Sequence, residues 1–417
     1  MLDIKFIKEN LSLVKTNCQN RGVQVDVEKI LELDGRRREI LKLAEILRAQ
    51  RKQTSKSKPS EEEIIRMRAI GDDIKKHEAI LAGVESELNE LMLKVPNLTH
   101  PDSPIGGEED FRVVYQNKAP KSFKFTPTDH ETLLLKNDLI DGERGTKVSG
   151  AKFFFYKNNL VRMNRALINY GIDIVTKRGY MLMETPDVAK DLILTGVGFN
   201  PRGPETQIYS VENSDLSLVG TAEITMGGYH AGEILDLSKG AKKYVALSHC
   251  FRTEAGAYGR ESKGLYRVHQ FTKLEMFVFC KPEESEKYHQ EILDIEKEIS
   301  DGLGLFYRVI DIPTGDLGGP AYRKYDIEGW MVMKGERGSQ GGFGEITSCS
   351  NCTGYQARRL NIRYRKDDGS TDFVHTLNGT AVNNSRWPLI IVETYQNEDG
   401  TISVPKVLQK YCHLKKL

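Results

Sequence analysis

The chain has 417 residues, with 60 Lys and Arg against 59 Asp and Glu, so its formal net charge is +1. That length predicts two or three domains with a sizeable core, and the charge balance excludes a globally basic nucleic-acid binder, leaving only a local patch for such a role. A composition of 39% hydrophobic and 29% charged residues excludes extended disorder, and no run of 18 apolar residues offers a membrane span.

The opening MLDIKFIKEN carries charges where a secretory signal would be apolar, so it reads instead as a short amphipathic helix through Ile4, Ile7, Leu11 and Val14. From Ile30 a seam of Ile30, Leu33, Ile40, Ala44 and Leu47 follows three- and four-residue steps, with Arg37 in one place. A second seam runs Ile70, Ile74, His77, Leu81, Val84, Leu88, Leu91, Val95. Such spacing predicts two helices packed as an antiparallel coiled-coil hairpin, about 40 Å long, turning within the polar stretch 50–60. Residues 27–96 hold 15 Lys and Arg against 14 Asp and Glu, yet Arg48, Arg51, Lys52, Lys56 and Lys58 cluster at the turn with no acid among them. That cluster is either a solvated hairpin end or a phosphate-contacting tip.

Residues 95–110 (VPNLTHPDSPIGGEED) read as a linker, dividing a helical domain over 1–105 from a second domain over 106–417. The second domain mixes strand-like runs at 244–247, 273–279 and 389–395 with helices at 160–176 and 283–303, which predicts an α/β or α+β layered fold. Six cysteines in so long a chain suit free thiols in a reducing cytoplasmic setting. Cys349 and Cys352 alone have metal spacing. Without a second ligand pair they read as buried thiols rather than a zinc or redox site.

The densest chemistry lies in CFRTEAGAYGRESKG (250–264) followed by LYRVHQFTKLEMF, a strand, basic glycine-rich loop and strand with Arg252, Arg260, Lys263 and Arg267. Arginine forks and close backbone approach suit a nucleotide triphosphate, although a lone basic hairpin is as readily a surface feature. Arg386 closes TLNGTAVNNSR before an apolar run, either as a surface charge or as a second fork for the same nucleotide. Further back, VSGAKFFFYKNN (148–159) leads a helix into a strand that ends at Pro186, a pattern suited to an interface.

These segments, together with TAE at 221–223, GDLGGPAYRKYDIEGW and GEITSCSNCTGYQARRLNIRYR, resemble the seryl-tRNA synthetases, a branch of the class II aminoacyl-tRNA synthetases, nearly end to end. The resemblance implies an α+β fold: a tRNA-binding helical hairpin followed by a catalytic domain with a seven-stranded, mostly antiparallel sheet flanked by helices, in a homodimer. It implies ATP-dependent activation of serine and transfer to tRNA(Ser), and to the selenocysteine tRNA, tRNA(Sec), where a cell has one. Magnesium is the implied cofactor, and zinc is not. Residue by residue, Arg252 would hold the serine carboxylate and the α-phosphate. Thr253, Glu254, Val268, Ile346 and Thr347 would surround ATP, with Glu254 on the adenine side. Glu345 and Ser348 would hold Mg²⁺, and Arg386 would grip the far phosphates. Thr221, Ala222 and Glu223 would meet the serine ammonium end, while Glu275 and Thr380 read its side chain near Asn378. The basic tip would hold the tRNA's long variable arm.

Read as residues alone, Glu275 is equally an acid on the solvent side of a strand and Thr380 a turn residue, while His249 and His269 read as structural hydrogen-bonding groups. Gly220, where many relatives have proline, predicts a looser loop before TAE, and Lys334–Gly342 a glycine-rich loop beside the site. Two rivals remain at this level: a ligase that loads serine onto a carrier protein, and an inactive coiled-coil paralogue.

Overall fold

The computed structural model describes residues 1–53, 60–200, 207–254, 264–335 and 341–417. The chain divides into two compact units, Met1–Leu98 and Thr99–Leu417, and the division falls inside the 95–110 segment.

In the first unit the expected single N-terminal helix is two, α1 (Ile4–Glu9) and α2 (Leu11–Asn20). Asp3 caps the first by accepting from Lys5 N at 2.7 Å, and Asn10 ends it with a non-helical backbone, which the apolar spacing could not report. The hairpin arms are α3 (Val27–Gln53) and α4 (Glu61–Lys94). Ser60 and Glu63 form a reciprocal capping box that fixes where α4 begins. Ile30, Leu33, Ile40 and Ala44 are buried along α3, facing Ile70, Ile74, Val84 and Leu88 of α4, so the 3-4 seam is the core of this unit. Of the expected turn breakers, 54, 55, 57 and 59 lie outside the described residues, as do Lys56 and Lys58.

The second unit is built on a sheet of eight strands, one more than the resemblance implies. In chain order they are β1 (Arg112–Gln116), β2 (Met181–Glu184), β3 (Lys242–Phe251), β4 (Gln270–Cys280), β5 (Tyr307–Asp311), β6 (Arg323–Met331), β7 (Gly342–Thr353) and β8 (His375–Asn383). Across the sheet they run β1-β5-β6-β7-β8-β4-β3-β2. Every pair is antiparallel except β2 with β3. At one end of the sheet β1 is an exposed edge whose register slips between Val113 and Tyr115.

Helices α5 (His130–Lys136), α6 (Asn158–Lys177), α7 (Ala222–Tyr229), α8 (Ser285–Gly302), α9 (Tyr355–Leu360) and α10 (Trp387–Thr394) cover the sheet. The run 389–395, expected as a strand, belongs to α10. Trp387 through Glu393 are all buried, so the helix shows no polar face and its β-branched residues mimic a central strand. Its start is set by Asn383, whose Oδ1 accepts from Arg386 N at 2.7 Å.

Candidate active site

The central strands β4, β7 and β8 present one face to a cleft lined by Arg252, Glu254, Tyr266, Arg267, Phe271, Lys273, Glu345, Ser348, Thr380 and Arg386. Two bulges decide which side chains reach it. Register passes from Ile327↔Thr347 to Glu328↔Glu345, leaving Ile346 as an extra residue. Glu345 and Ser348, three apart, would face opposite ways on a regular strand, but the bulge puts both on one face, opposite Glu328 and Asp326. The second slip passes from Thr380↔Glu275 to Val382↔Leu274, and Thr380 and Asn383 both line the cleft.

Arg252 follows β3 directly. Its Nε donates to Gly220 O at 3.1 Å, and its guanidinium lies 5.2 Å from the Phe271 ring centre. Both contacts fix the plane of the fork. Its backbone N donates to His269 O at 3.0 Å, and His269 Nδ1 lies 2.9 Å from Arg252 O. His249 Nδ1 lies 3.0 Å from Thr272 Oγ1. Both histidines therefore hold strand ends by hydrogen bonds, as expected. Glu254 takes a left-handed backbone at φ 51° and accepts from Arg267 Nη1 at 3.4 Å.

On the opposite wall Arg386 Nη1 lies 2.8 Å from Glu345 Oε1, and its guanidinium stacks 4.7 Å from the Tyr266 ring. Tyr266 OH donates to Glu345 O at 2.8 Å. Burial pushes the Glu345 carboxyl up, but Arg386, Lys324 and Arg252 outweigh it and hold the group well below the ordinary glutamate range. The expected metal ligand and the expected phosphate clamp are thus partners of one another. Beside them Asp326 is buried, with Oδ1 unpartnered, and burial raises it to about 8 despite Lys324.

The other end of the cleft is smaller. Glu275 is buried, Lys273 Nζ lies 2.7 Å from its Oε2, and Thr380 Oγ1 donates to the same oxygen at 3.0 Å. The solvent-facing reading of Glu275 is excluded, because the side chain is buried. Thr380 sits on β8 rather than in a turn. Glu223, buried at the N-terminus of α7 after its cap Thr221 and beside buried Ala222, accepts from Gln356 Nε2 at 2.7 Å. Burial, then Glu275, raises its carboxyl to about 7 against the pull of Lys273 and Arg252. Asn378 stands apart from this group, its Nδ2 donating to Cys352 Sγ at 3.8 Å. Val268 is buried in the cleft wall, and Ile346 contributes its carbonyl, which accepts from Asn383 Nδ2 at 2.8 Å.

Sequence reasoning missed Tyr266, Phe271, Lys273, Asn383 and Gln356. Strand alternation back from Glu275 would have found Lys273 and Phe271, since the three recur at every second residue of β4. Arg260, Lys263 and most of the 334–342 loop lie outside the described residues. Cys349 and Cys352 are buried thiols in no disulfide, as are the other four cysteines. At the hairpin, Arg48 pairs with Glu78 of α4 at 2.7 Å, so the absence of acids holds for the local sequence and not in space.

Residues 1–99 match the family described as the seryl-tRNA synthetase N-terminal domain, and residues 212–395 the tRNA synthetase class II core domain (G, H, P, S and T). The serine–tRNA ligase of Treponema denticola is 50% identical, over 99% of this chain and 99% of the relative. That of Dictyoglomus thermophilum is 48% identical over 100% and 99%. Among solved structures, seryl-tRNA synthetase of Pyrococcus horikoshii complexed with ATP superposes with a TM-score of 0.90 at 36% identity, covering 100% of this chain and 99% of that one. With a helical hairpin, a class II core and full-length relatives of this kind, the chain belongs to the seryl-tRNA synthetase family.

Proposed function

We propose that this chain is a serine–tRNA ligase that joins L-serine to ATP as seryl-adenylate and passes the seryl group to tRNA(Ser). The observation that carries the reading is one cleft with two differently built ends. One is an arginine-lined end for a polyphosphate, and the other is a small acid-and-hydroxyl end around Glu275 and Thr380.

In the first step the serine carboxylate attacks the α-phosphorus, and pyrophosphate leaves. No protein nucleophile is required. The site must align two anions and neutralise the charge that develops on the phosphate oxygens. Arg252, stacked on Phe271 and tied to Gly220, is placed for the carboxylate and the α-phosphate. Arg386 would exchange Glu345 for the outer phosphates, releasing that carboxylate for a cation. Glu345, ionised and reaching the cleft, and Ser348 on the same face fit a hard divalent ion such as Mg²⁺, which supplies charge neutralisation when bound. In the second step the terminal ribose hydroxyl of tRNA attacks the adenylate carbonyl and AMP departs, its phosphate taking the proton.

Glu223 suits the serine ammonium, and Glu275 with Thr380 suits the hydroxyl. Alanine offers Glu275 and Thr380 no hydroxyl to bond and is rejected on that ground, whereas threonine is rejected only by lack of room for a methyl. The basic end of the hairpin, with Arg51 exposed, is assigned to the tRNA variable arm, and tRNA(Sec) is assigned to the same surface. A homodimer is proposed across the β2 edge, where Met181 and Leu182 are exposed apolar residues on a strand open on one side. Six buried cysteines in no disulfide suit the cytoplasm. Among the described residues no helix is long and apolar enough to cross a membrane.

The testing experiment is charging of unfractionated tRNA with each amino acid in turn. Serine alone should be esterified, and only to tRNA bearing a long variable arm. Transfer to a carrier protein in place of tRNA would replace this reading with the first rival, and a chain without any such activity would replace it with the second.

A further inference from the structure

Beneath the serine end of the cleft, on the far side of the sheet, α8 carries a carboxyl that the chemistry above does not use. Glu296 is fully buried, and α8 approaches the sheet so closely that a Cβ on Gly379 of β8 would lie 2.9 Å from Glu296 Oε1 and 2.3 Å from Ile292 Cγ2. Only glycine at 379 allows that approach.

The hydrogen bonds around this group fix where its proton lies. Thr347 Oγ1 contacts both the backbone carbonyl of Thr380 and, at 3.3 Å, Glu296 Oε1. A hydroxyl has one proton, and the carbonyl can only accept, so that proton goes to Thr380 O. The remaining contact, between two oxygens, is strengthened when Glu296 carries a proton and donates it to Thr347 Oγ1. Glu296 Oε2 has no hydrogen-bond partner. A neutral carbonyl oxygen tolerates that far better than a buried carboxylate does. The groups facing Glu296 from the packed elements are Thr347 and Cys349 of β7, Glu275 of β4 and Asp326 of β6. Their acids disfavour a further negative charge, and burial, followed by Glu275, raises the Glu296 carboxyl well above its ordinary value against the opposing pull of hydrogen bonds from Thr347 and Cys349.

We propose that Glu296 is a protonated positioning residue which, through Thr347, fixes the Thr380 segment of β8 and leaves Glu275 as the single negative charge reading the serine hydroxyl. This rests on the serine reading of the Glu275–Thr380 end. A relay from helix to hydroxyl to strand carbonyl sets the distance between Thr380 and Glu275, and a neutral Glu296 keeps a second charge from opposing Glu275 through the sheet.

The test compares Glu296→Gln, Glu296→Leu and Thr347→Val in the intact chain by serine-dependent ATP–pyrophosphate exchange. Glutamine keeps a donor and stays neutral, so Glu296→Gln should hold the serine KM within about twofold of the unaltered chain. Glu296→Leu should raise the serine KM about fivefold or more while the ATP KM stays within about twofold, and Thr347→Val should raise the serine KM by a similar factor. Glu296→Gln as damaging as Glu296→Leu would overturn the proposal, as would an unchanged serine KM in Glu296→Leu.

Protonation is read separately by thermal unfolding. A carboxyl that resists ionisation in the folded state costs stability as pH rises above the ordinary glutamate range. The Tm advantage of Glu296→Gln over the unaltered chain should therefore widen from about pH 6 to about pH 9. A constant gap would overturn the proposal even if Glu296→Leu fails to fold. If the unaltered chain shows no exchange with serine, the serine reading falls, while the Tm comparison still decides whether Glu296 is protonated.

Discussion

The hairpin unit and the catalytic unit are held together by different kinds of contact, and that difference governs both what can be inferred from each and how each will fail. In the hairpin, α3 and α4 meet along seams that recur every three or four residues, so neighbours in space are set by one local period. In the catalytic unit, the cleft gathers Arg252 after β3, Glu275 on β4, Glu345 on β7, Thr380 on β8 and Arg386 ahead of α10. Most of those positions are separated by tens of residues and are brought together by strand register. Local periodicity is robust to an interruption such as Arg37, which is half-buried and pairs with Asp34 at 2.9 Å. Register is not robust, because each slipped residue turns a side chain to the other face.

Substitutions in the two units should accordingly give different signatures. The largest effect is expected from Arg252→Ala. Its partner charge grows in the transition state, so kcat for exchange should fall about 100- to 1,000-fold while ATP affinity changes much less, as pre-steady-state rates with ATP titration would show. An equal loss in both would make Arg252 an ordinary binding group. Glu275→Ala should lower serine kcat/KM by roughly 30- to 1,000-fold and erode discrimination against alanine, because Lys273 and Thr380 lose their shared partner. Wild-type kcat/KM in that variant would contradict the serine end as described.

Acid should separate the units further. Glu223 ionises only near pH 7, and its carboxylate is the group assigned to the serine ammonium. Serine kcat/KM should therefore fall as pH drops below about 7, by up to about tenfold per unit, with no comparable change in tRNA affinity. In Glu223→Gln the serine kcat/KM should be low and flat across the same range, and an unaltered slope there would assign the titration to another group.

The smallest effects are expected at the hairpin end. Neutralising Arg48, Arg51, Lys52, Lys56 and Lys58 together should flatten the dependence of tRNA affinity on salt, by up to about one slope unit for each phosphate that no longer meets a cation. Arg48 already pairs with Glu78, so Arg51→Ala alone should flatten the slope more than Arg48→Ala alone, and the reverse order would place the tRNA-binding surface on the helix flank.

What is readable from sequence follows the same division. The seam residues, the linker, α6, α8 and the strands β3 and β4 that flank the basic loop are legible because each carries a local period or a punctuating residue. The 389–395 run misleads because burial on all sides removes the polar face that identifies a helix. The common face of Glu345 and Ser348 is invisible because it depends on an extra residue at Ile346. Lys273 is legible in principle from the alternation of β4. Glu296 is not, since its partners Thr347 and Gly379 meet it only through packing of α8 on the sheet.

The central claim is that serine activation resides in the unit after the linker and tRNA selection in the hairpin. The most direct measurement replaces residues 27–95 by a short glycine linker and compares serine-dependent ATP–pyrophosphate exchange with tRNA charging in the same preparation. Exchange should stay close to that of the intact chain, while charging should fall by about three orders of magnitude, since phosphate contacts supply much of nucleic-acid affinity and register. Charging as efficient as that of the intact chain would contradict the account and make the hairpin an appendage with another task.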